Sequence, residues 1–307
     1  ALTDDAVIVP APREGVIRAI TKRSESVDWE KRVNPVNFDG VTAEGGLVLL
    51  QVSQLHVYDE ASGEKMWQTD FSGSRIQSAT VTENHIAVSQ IQYGVSDAPL
   101  KLLILDRETG EEVWTVKKSN RVASSLWSDG EKLYAKVGDV LELYDLDEQK
   151  QVGSSNELGV SGLEITENAV YVSAEEGLAK FDKTSLSRKW IYDIEPAQGA
   201  PIVSDDNVIA KLQSGLASLD ASSGEANWYR RQAFSDSAEI HETGEYVWTL
   251  TPERNLVGYE QASGDLIAKT DSIEQQTDWE GDIEADESAL YVVRGSVKRY
   301  PVSSLVP

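Results

Sequence analysis

The chain has 307 residues, 40% of them hydrophobic, with a mean hydropathy of −0.36, which leaves enough apolar surface for a large core in water. Its 52 acidic and 28 basic side chains give a net charge of −24, a field that repels phosphate backbones and anionic lipid and so argues against nucleic acid as a partner. Cysteine is absent, which rules out disulfides, thiolate metal sites and a cysteine nucleophile.

In chain order, residues 2–9, LTDDAVIV, match residues 203–210, VSDDNVIA, so the sequence reads as entering within the inner strand of a repeat unit. From Val16 a phrase begins that returns throughout the chain: a β-branched run, an anchor residue, a turn, then Trp. Its copies are VIRAITKRSESVDWEKR from Val16, LHVYDEASGEKMWQTDF from Leu55, LLILDRETGEEVWTVKK from Leu102 and LELYDLDEQKQVGSSNE from Leu141. They continue as LAKFDKTSLSRKWIYDI from Leu178, LASLDASSGEANWYRRQ from Leu216, LVGYEQASGDLIAKTDS from Leu256 and VKRYPVSSLVP from Val297. The anchors Thr21, Asp59, Asp106, Asp145, Asp182, Asp220, Glu260 and Pro301 lie 38, 47, 39, 37, 38, 40 and 41 residues apart. Within a copy the register is strict: Trp29, Trp67, Trp114, Trp190 and Trp228 each stand eight residues after their anchor. In the fourth and seventh copies that place holds Gly153 and Ala268, and those two blades are expected to contact a neighbour more weakly.

Each unit alternates apolar and polar residues at period two and lacks helical spacing, so the period of about 40 residues is that of a four-stranded propeller blade. Upstream of each anchor lies a short β run, at 7–9, 47–50, 86–88, 133–135, 170–172, 208–210, 246–248 and 290–293. Before it comes a small-residue strand, such as SATVTENH from Ser78, expected to be innermost because inner strands crowd around the axis. We therefore expect an all-β, eight-bladed β-propeller of four-stranded antiparallel blades, with seven blades as the alternative count, in a single domain of residues 1–307. Only seven outer strands are present. The eighth is expected from residues outside 1–307, or the last blade closes with three strands.

The anchor Asp suits a turn whose backbone N–H groups its carboxylate can accept, and Gly63, Gly110, Gly224 and Gly264, four residues later, can supply positive φ. Five Trp in equivalent places read as wedges between blades: Trp29, Trp67, Trp114, Trp190 and Trp228. A ligand site would need only one or two of them.

Little else announces chemistry. His56, His85 and His241 fall in different units without the spacing of a zinc site. The pairs Asp4-Asp5 and Asp205-Asp206 suit turns, and the acidic run at 278–287 reads as a solvated face. Neither a serine nucleophile elbow nor a phosphate-cradling glycine loop occurs, so no catalytic, cofactor or metal residue is assigned. The candidates for partner binding are Tyr93, Asp97 and Pro99, in the loop that makes the 47-residue spacing, and Arg230 and Arg231, paired cations in an acidic chain.

The phrase Asp-x-x-Ser/Thr-Gly-Glu-x-x-Trp, seen as DEASGEKMW, DRETGEEVW and DASSGEANW, resembles the repeat of PQQ-like (quinoprotein-like) propellers and covers essentially the whole chain. That family includes quinone-dependent dehydrogenases and non-catalytic scaffolds such as the eight-bladed lipoprotein of the outer-membrane barrel assembly machinery. The chain looks like the second, BamB-like branch: it lacks the dehydrogenases' vicinal cysteines and their long insertions. The lipoprotein's lipid-bearing cysteine is missing as well. The resemblance implies a non-enzymatic scaffold that binds protein partners, in the cell envelope or secreted, with the cytoplasm of a halophile as alternative. No leader or membrane span is visible in residues 1–307, and a removed leader is compatible with the start at Ala1. The second functional reading is a propeller that holds a quinone, sugar or metal ion in its central funnel.

Overall fold

A computed structural model of the chain describes all residues except 12–13, 34–39, 52–53, 72, 93–99, 119–122, 157, 205, 236–237, 271–281, 294–296 and 307. Eight antiparallel sheets follow one another along the chain, and in each the strands are hydrogen-bonded in sequence order. This is the meander of propeller blades, and the fold is an all-β, eight-bladed β-propeller. We number the sheets blades 1 to 8, at residues 6–32, 40–70, 74–118, 123–154, 160–192, 197–231, 241–269 and 282–301. Among the described residues the single helical turn is Val302–Leu305.

By internal contacts the chain divides into two compact units: residues 1–157 with 295–297, and residues 158–294 with 298–307. In the first unit, alternate residues of a strand face alternate neighbours. Val48 and Leu50 of blade 2 join Ile8, Ile17 and Trp29 of blade 1 in one cluster. Leu47 and Leu49 join Ile86, Val88 and Leu103 of blade 3 in another. Blades 3 and 4 share a third, around Ile104 and Leu133. The second unit repeats the plan, with clusters joining blades 5 and 6, 6 and 7, and 7 and 8. A second strand buried on both faces is mostly apolar, and Val7, Val48, Val170, Val208 and Val247 are all fully buried, with Ser89, Ser173 and Lys211 as buried polar exceptions.

The strict register between anchor and Trp has a local cause. The anchor carbonyl accepts the N–H four residues on, as from Gly63 to Asp59 at 2.8 Å and from Gly224 to Asp220 at 2.8 Å. In blades 1 to 7 a β-bulge then lies just before the anchor's neighbour, for example between Val57 and Tyr58 and between Ser218 and Leu219. Turn and bulge together set Trp67 opposite Val57 and Trp228 opposite Ser218.

Both ends follow the reading of the repeat. Leu2 bridges Val7, the rudiment of an inner strand for blade 1. Blade 8 has three described strands, and residues 302–305 turn into the helix.

Candidate interaction surface

Two of the three joints between blades in each unit are built from one pair of residues, Trp and Gly. Trp29 Nε1 donates to Glu60 O at 2.8 Å, Trp67 to Arg107 O at 2.9 Å, Trp190 to Ala221 O at 3.2 Å and Trp228 to Gln261 O at 2.8 Å. Each acceptor is the residue after the next blade's anchor, and each indole lies on the glycine of that turn. A Cβ added at Gly63 would stand 2.5 Å from Trp29, and at Gly110, Gly224 and Gly264 it would stand 2.6 to 2.7 Å from Trp67, Trp190 and Trp228. Trp114 faces a turn with Gln149 in that place, and meets the ring of Tyr144 edge-on at 6.1 Å.

Blade 7, where a weaker contact is expected, meets blade 8 through other residues. Ala268 and the buried Trp248 share a cluster with Leu305, which stands four residues after Pro301 where four other turns have glycine. The large residue has moved to the other side of the joint. Blade 4 carries Gly153 in place of Trp, and the turn of blade 5 has Leu186, which is buried, in place of glycine.

The paired arginines separate. Arg230 is committed to a joint: its Nε donates to Gly264 O at 2.8 Å, its guanidinium also reaches Ser263 O at 2.8 Å and Asp265 at 3.2 Å, and it lies over Trp228. Arg231 is exposed. Tyr93, Asp97 and Pro99 lie outside the described residues.

Blade 6 and the loop before it present a surface that the sequence did not reveal. Ile194 is 69% exposed, more than any other large hydrophobic residue described, and Tyr229 is 37% exposed. Both stand on a fixed frame. Glu195 accepts Ser214 N–H at 3.0 Å, Ser214 Oγ–H at 2.7 Å and the Tyr229 hydroxyl at 3.0 Å, while Ser214 Oγ and the Tyr229 hydroxyl lie 2.7 Å apart. Three segments far apart in sequence supply it, which no local motif records. Behind it, the buried amine of Lys211 donates to Ser235 O at 2.9 Å and Ala238 O at 2.7 Å, which ties down the connection into blade 7.

The inner strands depart from the small residues expected. Trp127, Glu164, His241 and Glu284 stand opposite Tyr134, Tyr171, Trp248 and Tyr291, the same register position in blades 4, 5, 7 and 8. Water reaches Glu164, yet enclosing protein raises its carboxyl above the ordinary carboxylate range, and the charge of Glu242 adds to this. Glu242 Oε1 accepts Gln261 Nε2–H at 2.8 Å. Among the described residues no three His, Cys, Asp or Glu are grouped to hold a metal ion. The three histidines do not converge: His56 stacks on Tyr58 in blade 2, His85 opens a strand of blade 3, and His241 lies in blade 7.

Comparison with known proteins gives the following. Residues 13–147 and 95–298 match the family model described as outer membrane protein assembly factor BamB. No curated protein sequence matches the chain. Among solved structures, the computationally designed Ika8 protein is 12% identical, with 98% of this chain and 94% of that one covered at a TM-score of 0.77. BamB from Moraxella catarrhalis is 16% identical, with 96% and 90% covered at a TM-score of 0.73. The dihydro-heme d1 dehydrogenase NirN is 12% identical, with 96% and 72% covered at a TM-score of 0.71. At such identities the likeness speaks for the fold alone, and it extends to an enzyme as well as to an assembly factor.

Proposed function

Since the chain belongs to the PQQ-like β-propeller family described as outer membrane protein assembly factor BamB, we propose that it is a non-enzymatic scaffold, acting as one domain of residues 1–307 that holds partner proteins in an extracytoplasmic or cell-envelope assembly. The observation that carries this reading is the surface around Ile194 and Tyr229. An aliphatic side chain on the loop before blade 6 and an aromatic one on that blade's outer strand are displayed there, the loop and the tyrosine joined through Ser214 and Glu195, and Arg231, two residues after Tyr229, is exposed as well. Tyrosine and arginine are the side chains on which protein interfaces concentrate their energy, and a fixed frame lowers the entropy lost on docking. The test is a photo-crosslinking amino acid placed at Ile194, and in parallel at Gly46, in the native organism. A discrete partner band at position 194, lost on Tyr229→Ala and missing at 46, is the expected result. No specific adduct at either position sinks the scaffold reading.

A second reading, a small-molecule or metal-ion propeller, draws on Glu164, whose carboxyl is held above the ordinary carboxylate range by burial and then by the charge of Glu242. Pyrroloquinoline quinone with calcium would then stabilise the protein thermally, and Glu164→Gln would remove the effect.

A further inference from the structure

Blades 5 and 6 present opposite charges at one repeated position. Asp193 and Arg231 each stand three residues after the Trp of their blade, Trp190 and Trp228. The backbone holds them alike. A Cβ added at Gly177 would collide with Tyr192 O, and one at Gly215 with Arg230 O; the next Cα, of Asp193 or Arg231, stands 3.2 Å from the added carbon in each case. Both residues therefore leave the outer strand against the glycine that opens the third strand of their own blade, an approach that only glycine allows.

Main-chain bonds join the two positions into one frame. Pro196 O accepts Gln213 N–H at 3.0 Å, and Ser214 O accepts Gln232 N–H at 3.1 Å. The connection that carries Asp193 and Ile194, the turn at Ser214 and the strand end at Arg231 are thus tied together, with the bonds of Glu195 to Ser214 and Tyr229 as a side-chain link. Along this frame the order is Asp193, Ile194, Glu195, Tyr229, Arg231. Neighbouring charges are engaged: Arg188 with Glu176 at 3.4 Å, and Arg230 with Asp265 at 3.2 Å. Asp193 and Arg231 are exposed, and among the described residues neither forms an ion pair. Glu175, exposed two residues before Gly177, adds to the negative end.

We propose that this frame docks a segment of a partner protein that carries a Lys or Arg over blade 5, an apolar side chain in the middle and an Asp or Glu over blade 6. Ile194 and Tyr229 would cover the apolar side chain, while Asp193 and Arg231 would fix the direction in which the segment runs. A segment laid the other way meets like charge at both ends. A second copy of the chain is a poor occupant, because two molecules of net charge −24 repel on approach. This names the chemistry of the partner for the Ile194 surface and rests on the scaffold reading.

The probe is the whole chain with the photo-crosslinking amino acid at Ile194, in the native organism, with Asp193→Lys or Arg231→Glu added. Each reversal is expected to lower the yield of the partner adduct about fivefold, with thermal unfolding unchanged. Mass spectrometry of the adduct should find a Lys or Arg and an Asp or Glu on opposite sides of the crosslinked apolar residue. A synthetic peptide of that segment should bind the purified chain more tightly than its charge-exchanged form. The double variant Asp193→Lys, Arg231→Glu should reverse that preference, which loss of structure cannot do. A crosslinked segment lacking either charge, or an adduct of two copies of the chain, overturns the proposal. An adduct whose yield ignores both reversals removes this inference and leaves the scaffold reading standing, whereas the lack of any specific adduct sinks both.

Discussion

A single carboxylate stands at the anchor of the turn in blades 2 to 7, and its protonation is a local measure of the turn. Asp220 Oδ1 accepts Ser222 N–H at 3.0 Å, Ser223 N–H at 2.8 Å and both serine hydroxyls at 2.6 and 2.9 Å. Bonds to the charged form, first from the Ser222 side chain and then from Ser223, hold its pKa at about 2 against an ordinary 3.8. Asp182, bonded by Thr184, Ser185 and Lys189, lies lower still. A folded-state pKa below the unfolded value means that stabilisation is full above about pH 4 and is lost as pH falls towards 2. The melting temperature should therefore fall over that interval. In Asp220→Asn, whose amide oxygen still accepts but does not titrate, the fall should be shallower. Identical slopes in wild type and variant would show that the turn carboxylate carries no linkage.

At the scale of strands and turns, the glycine in the anchor turn follows the indole more than the backbone. Glu25, Gln149 and Leu186 hold φ of 53°, 51° and 52° in the same turn where Gly63, Gly110, Gly224 and Gly264 hold 64° to 76°. Positive φ alone thus does not demand glycine here, whereas a Cβ 2.5 Å from Trp29 does. Gly63→Ala should cost about 2–4 kcal/mol by urea denaturation, from overpacking added to backbone strain. Gly46→Ala is the control, with φ of 77° and nothing within 4 Å of the added carbon, and should cost about 1 kcal/mol. Equal costs would return the glycine to a purely conformational role. This coupling also explains what could be read from the residues alone. Anchor, turn and Trp lie within nine consecutive positions, so blade number and strand order were legible. The exchange of Trp and Gly for Ala268 and Leu305 was not, because the compensating residue lies in the next repeat. Nor was the frame of Ile194, whose Glu195, Ser214 and Tyr229 meet only after folding. The expectation of small inner-strand residues failed at Trp127, Glu164, His241 and Glu284, which share one register position opposite a large aromatic of the second strand.

Across the whole molecule the net charge of −24 acts against the fold. Like charges brought together on a folded surface repel, and that repulsion relaxes when the chain expands. The described ion pairs offset little of it: Lys150 with Glu148 at 2.6 Å and Arg188 with Glu176 at 3.4 Å are exposed on both sides, and such pairs contribute at most about 1 kcal/mol each. Salt weakens both effects, since the screening length shrinks from about 10 Å at 0.1 M to about 3 Å at 1 M. The repulsion sums over many more charges than the pairs do, so its loss dominates. Raising sodium chloride from about 0.05 to 1 M should raise the melting temperature by roughly 5–10 °C. If residues 1–307 act as one domain, calorimetry should record this as the shift of a single transition with matching van't Hoff and calorimetric enthalpies. A melting temperature that stays flat or falls would mean that the acidic surface is already neutralised by contacts within the fold. Two transitions moving separately would mean that residues 1–157 and 158–294 melt as independent bodies.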